Sequence, residues 1–170
     1  MISFRLLAIG IAVVSAGFAL GAETPALPPK EKFHLYLLIG QSNMAGRGAI
    51  EPEDKIAHPR VLKFGKENAW EPGTDPLHFD KPVAGMGLGS SFARAMADSN
   101  PDATIGVIPC AVGGTPLSRW VRGADLYEQA IVRSLLAMKD GTLKGILWHQ
   151  GEADSSSEHW PGVTPPACRR

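Results

Sequence analysis

At 170 residues the chain has the length of one domain, and an apolar content of 44% is enough to pack a core, which excludes wholesale disorder. Seventeen basic residues balance seventeen acidic ones, with no basic stripe and no acidic run, so a nucleic-acid partner and a solvating acidic tail are both excluded. No internal repeat is visible.

The chain opens on a single charge, Arg5, followed by an apolar run from Leu6 to Leu20, then Gly21, Ala22 and Glu23. This is the charged, apolar and small-residue order of a secretory signal peptide, expected over 1–22 with cleavage after Gly21 or Ala22. The run is shorter than the ~20 apolar residues of a membrane span. The mature protein is therefore expected to be exported, to periplasm or medium, with no membrane attachment. Residues 23–31, with Pro25, Pro28 and Pro29, read as a linker.

The domain proper is expected over 32–158. Phe33 to Ile39 is an apolar, aromatic-rich run ending at Gly40, the pattern of a buried strand. Gln41 to about Val83 is rich in Pro, Gly and charge and reads as a long irregular surface excursion, with a short strand at 60–64. Ser90 or Ser91 is placed to cap a helix to about Asp98 with Phe92, Ala93 and Met96 on one face, stopped by Asn100-Pro101. Thr104 to Pro109 is the second buried strand. A helix from Asp125 to Met138 places Leu126, Ala130, Ile131, Leu135 and Met138 at helical spacing and closes at Asp140-Gly141. Gly145 to His149 is the third strand. Of the two cysteines, Cys110 reads as a buried free thiol, and export would permit a disulfide with Cys168.

Strands alternating with helices favour an α/β fold, a doubly wound, three-layer sandwich on a parallel sheet. Ligand-binding residues in such sheets gather at the carboxyl ends of strands. The three most polar, glycine-marked segments fall there: 40–44, 111–115 and 149–152. Ser42 is placed as a nucleophile on a tight strand-to-helix turn. Gly113-Gly114 can present backbone N–H groups to an oxyanion, and the Gln150 amide is a neutral donor for the same purpose. Each has a plainer role when taken alone: a helix cap, a glycine turn, a strand-end amide. Gly85 to Gly89 loosely matches a dinucleotide loop, but a loop precedes it and no acidic partner follows at the required distance, so that reading is set aside.

Residues 39–46 (IGQSNMAG) and 148–154 (WHQGEAD) together resemble the sialate O-acetylesterase / acetylxylan esterase branch of the SGNH (GDSL-like) hydrolases. Residues 87–94 (GLGSSFAR) and 112–120 (VGGTPLSRW) are similar to two further segments of that family, so the resemblance runs from about Phe33 to Asp154. It implies a flavodoxin-like α/β/α sandwich that removes acetyl groups from sugars, with an O-acetylated glycan as substrate and no metal or organic cofactor. In that frame Ser42 is the nucleophile. The N–H groups of Ser42 and Gly113 or Gly114, with the Gln150 amide, form the oxyanion hole. Gln41, Asn43 and Glu152 order the site or touch the sugar, and His149 is structural beside Trp148.

The pattern breaks at the end. The family takes its histidine, with an aspartate three residues earlier, from a motif near the end of a longer chain, and that catalytic Asp-x-x-His is expected to be absent here, with the C-terminal strand and helix. Residues 159–170 are Pro-rich and aperiodic. Reverse translation from the third base of the His159 codon permits an amphipathic helix instead, so a frameshift near Glu158 is one reading of this tail, and a genuine short protein or a deliberate fragment is the other; a catalytically inactive remnant or a glycan-binding pseudoenzyme is the alternative function.

Overall fold

A computed structural model describes residues 26–155. The expected signal peptide, the tail at 159–170 and Cys168 lie outside the described residues. Among the described residues five strands form one sheet: β1 (Phe33–Gly40), β2 (Val61–Phe64), β3 (Trp70–Pro72), β4 (Thr104–Pro109) and β5 (Thr142–His149). Their order is β3-β2-β4-β1-β5, parallel throughout except where β3 runs against β2. The α-helices among the described residues are α1 (Ser42–Ala45), α2 (Leu88–Ser99) and α3 (Asp125–Ala137).

β1 is apolar throughout because both its faces are covered, and the alternation of a strand divides its side chains between two cores. Tyr36 and Leu38, with Ile105 and Val107 of β4, pack under α2 through Ala93 and Ala97. Leu35 and Leu37, with Ile108 of β4, face the other way and meet Ala137 of α3. One helix on each face makes the sheet the middle of three layers, as the α/β reading expects. From β1 the chain moves outward to β2 and β3, returns through α2 to β4 on one face, and then crosses through α3 on the other face to β5, beyond β1. The order therefore reverses at β1, and the crevice at its carboxyl end is the place where open sheets of this class hold ligands.

Several expectations need correction. The excursion after Gln41 is not a surface loop alone. Val61, Leu62 and Phe64 of β2 are buried beside β4, and Trp70 of β3 packs at 4.5 Å from the Phe33 ring and 4.9 Å from Phe64. Gly106 is glycine for this reason: a methyl group there would stand 2.8 Å from Trp70 and 2.6 Å from Leu35. α2 starts at Leu88 behind Gly87, with no side-chain cap, because the Ser90 hydroxyl is turned inward to Asp75. On α3 the buried row is Leu126, Ala130, Ser134 and Ala137, while Ile131 and Leu135 are exposed. Ser134 tolerates burial because its hydroxyl returns to the Ala130 carbonyl at 2.7 Å. β5 begins at Thr142, three residues early, because Thr142 already pairs with His34. Among the described residues Cys110 forms no disulfide; the residue is partly exposed, and burial pushes its thiol up to about 11.

Candidate active site

The site is assembled at the carboxyl ends of β1, β4 and β5. Gly40 ends β1 at φ +143°, and a methyl group there would stand 1.9 Å from the His149 carbonyl oxygen, so only glycine lets the two strand ends meet. The Gln41 N–H then donates to that His149 carbonyl at 3.0 Å. Half-buried Ser42 follows, first residue of α1. The helix expected after it is one turn long, closed at Gly46 with φ +82°, so its dipole adds little to any charge developing at Ser42. Gly85 and Gly87 lie backbone to backbone on this closure: the Gly85 N–H donates to the Gly46 carbonyl, and a methyl group at Gly87 would stand 2.8 Å from Gly46 Cα. The glycines of that stretch serve close packing.

The glycine block after β4 comes to Ser42 directly. A methyl group at buried Gly113 would lie 3.4 Å from Ser42 Cβ, 2.4 Å from Arg47 Nη2 and 3.2 Å from Asp80 Oδ2. The Gly113 N–H donates to Asp80 Oδ2 at 2.8 Å, and the same oxygen receives Arg47 Nη2 at 2.7 Å. Gly114 is exposed at φ +77°, and its N–H has no hydrogen-bond partner among the described residues. Burial opposes the Asp80 charge, but the bonds from Arg47 and Gly113, with the Arg47 charge, outweigh it and hold the carboxyl below the usual range.

On the β5 side, Gln150 Nε2 donates to the Thr115 carbonyl at 2.6 Å, while its Oε1 is buried without a partner. Thr115 in turn receives Trp120 Nε1 at 3.0 Å, so amide and glycine block are tied together. Glu152 accepts from the side chains of Asn43 and Gln41. Burial resists its ionisation, yet these bonds, its own backbone N–H and nearby His149 keep its pKa lowered. The His149 side chain is exposed; its carbonyl does the positioning, while Trp148 meets Trp120 edge-on at 6.1 Å.

Ser42, Gln41, Asn43, Gly113, Gly114, His149, Gln150 and Glu152 thus lie at the same three strand ends, joined by Arg47 and Asp80, which no motif marks. The chain also contains an Asp-x-x-His spacing, contrary to its expected absence, at Asp75 to His78. That pair is not a catalytic dyad. Asp75 is buried against Ser90, and burial raises its pKa. His78 is 3% exposed, its Nε2 has no partner, and burial pushes its imidazole down to about 4. Among the described residues no base is hydrogen-bonded to Ser42.

The family described as carbohydrate esterase, sialic acid-specific acetylesterase, matches residues 32–162. A probable carbohydrate esterase of Arabidopsis thaliana is 37% identical over 153 residues, covering 78% of this chain and 58% of that protein. An X-ray structure of an Arabidopsis thaliana protein superposes with a TM-score of 0.70 at 35% identity, over 78% of this chain and 61% of the other. The crystal structure of NanS shares the fold at a TM-score of 0.62 and 20% identity, over 78% and 57%. The chain thus spans less than two thirds of the length of these relatives.

Proposed function

The chain belongs to the carbohydrate esterase, sialic acid-specific acetylesterase family, and from that premise we propose that it descends from an exported carbohydrate O-acetylesterase in which Ser42 is the nucleophile. The observation that carries this reading is the approach of the glycine block to Ser42 at the switch point of the sheet. Ser42 Oγ attacks the acetyl carbonyl carbon, and the carbonyl oxygen takes up the negative charge. The Ser42 and glycine N–H groups, with the second N–H of the Gln150 amide, receive that charge. The C–O bond to the sugar breaks, the sugar oxygen leaves with a proton, and water then releases acetate from Ser42. Glu152, holding Gln41 and Asn43 on either side of Ser42, orders the turn. The substrate is an O-acetylated glycan, and the first 22 residues support export.

The proton on Ser42 must pass to a base, and among the described residues none is hydrogen-bonded to it; a serine without its base turns over more slowly by several orders of magnitude. That observation favours a second reading for this polypeptide: a pseudoenzyme that holds acetylated sugar without turning it over. Aryl acetate hydrolysis by the full chain, beside Ser42→Ala, decides between them. Turnover abolished by the substitution is the outcome expected of the enzyme. Equal background rates in both proteins, with calorimetric binding of an acetylated oligosaccharide, would leave the pseudoenzyme.

A further inference from the structure

Asp80 was not among the residues that the sequence singled out, yet it joins both halves of the glycine side of the site. Its side chain is 0% exposed. One oxygen takes both the Gly113 N–H and Arg47 Nη2, and Arg47 Nη1 donates at 2.6 Å to the carbonyl of Gly46, where α1 closes. Asp80 therefore links the turn that carries Ser42 to the turn that follows β4. The backbone makes a parallel link lower down, from the Val112 N–H to the Gly40 carbonyl at 3.0 Å.

We propose that Asp80 is the positioning residue of this site: by holding the Gly113 N–H and Arg47 together it sets the glycine block against the Ser42 turn, and it leaves the N–H of Gly114, not of Gly113, as the backbone donor for an oxyanion. The inference rests on the reading of Ser42 as nucleophile. A backbone N–H already bonded to a carboxylate at 2.8 Å is a poor donor to a second anion, because both acceptors would compete for one proton. Among the described residues the next N–H along the chain has no such partner, and the nearest group to a methyl placed on Gly114 is the Lys81 ammonium at 3.7 Å. A bare carboxylate beside an oxyanion would oppose it; the Arg47 guanidinium on the same oxygen neutralises that charge.

Amide hydrogen exchange on the full chain, read residue by residue by NMR, tests this without turnover. In the wild type Gly113 is expected to be protected, with Gly114 exchanging as an open amide. Asp80→Ala should raise Gly113 exchange by about tenfold or more while Leu38 and Val107 in the sheet keep their protection. Asp80→Asn, which retains an acceptor oxygen, should restore most of it. Unchanged Gly113 exchange in Asp80→Ala, or a protected Gly114 in the wild type, overturns the proposal. Should Asp80→Ala fail to fold, an acid titration of the wild type decides instead. The Gly113 amide shift should follow the Asp80 carboxyl carbon with one midpoint, and independent titration of the two overturns the proposal. None of these readouts needs esterase activity, so failure of the Ser42 reading in the aryl acetate assay is seen separately.

Discussion

β1 and β5 are neighbours in one ladder, each eight residues long and each delivering a motif to the site, but they are covered very differently. Six of the eight residues of β1 are buried, whereas on β5 Ile146 is 56% and Trp148 47% exposed. The hydrogen-bond register holds both strand ends to one another, through Gly40 and His149, regardless of that difference. Side-chain cover is what separates them. The β1 and β4 side of the site is set by register, packing and the Asp80 link, while the β5 side is set, among the described residues, chiefly by register and by the bonds of Gln150, Glu152 and Asp154 to the loops.

The sharpest way to break this comparison is at the point where the two strands share a constraint. Gly40→Ala places a methyl group inside the contact distance of the His149 carbonyl on a backbone that disfavours it, and should cost more than about 4 kcal/mol, read as loss of a cooperative urea transition. A mild loss would mean that the two strand ends separate easily. Next comes cover alone: Leu38→Ala, at a fully buried position on β1, should cost about 2–5 kcal/mol in the same measurement.

Acid should weaken the β1 and β4 side through His78. Its folded pKa is about 4 against an ordinary 6.5, so the unfolded chain takes the proton first. Stability is then fullest above 6.5 and falls as pH drops toward 4, by about 2 kcal/mol between pH 7 and 5. Urea titrations at the two pH values should show a shallower fall in His78→Gln than in the wild type; equal falls would mean that His78 does not titrate as its burial implies. The smallest effect is expected on β5, where Ile146→Thr should change stability by no more than about 0.5 kcal/mol. A loss as large as that of Leu38→Ala would mean that Ile146 is covered in solution.

Much of the site was legible because its chemistry sits in short continuous motifs at strand ends. Ser42 with Gln41 and Asn43, the pair Gly113-Gly114, and Gln150 with Glu152 each lie within five residues of a strand whose apolar run is plain in the sequence. What was not legible lies on the excursion between β1 and α2. Asp80 and Arg47 look like solvated charges there, since a charge in a Pro- and Gly-rich stretch usually is one, and only the Gly113 N–H and the Gly46 carbonyl across the fold give them partners. Asp75 and His78 had a signal, their spacing, but spacing cannot tell that Asp75 turns to Ser90 and His78 into the interior.

The same division holds for the fold. Apolar runs and helical spacing determined that strands and helices alternate, and hence that the chain is an α/β sandwich, because a strand with no polar face must be covered on both sides. Periodicity did not determine which face of α3 would be buried, nor that Trp70 would extend the sheet as an antiparallel edge. Those were decided by space. The small residues Ala130, Ser134 and Ala137 let α3 approach the sheet more closely than Ile131 and Leu135 would, and the gap over Gly106 is the one that the Trp70 ring fills.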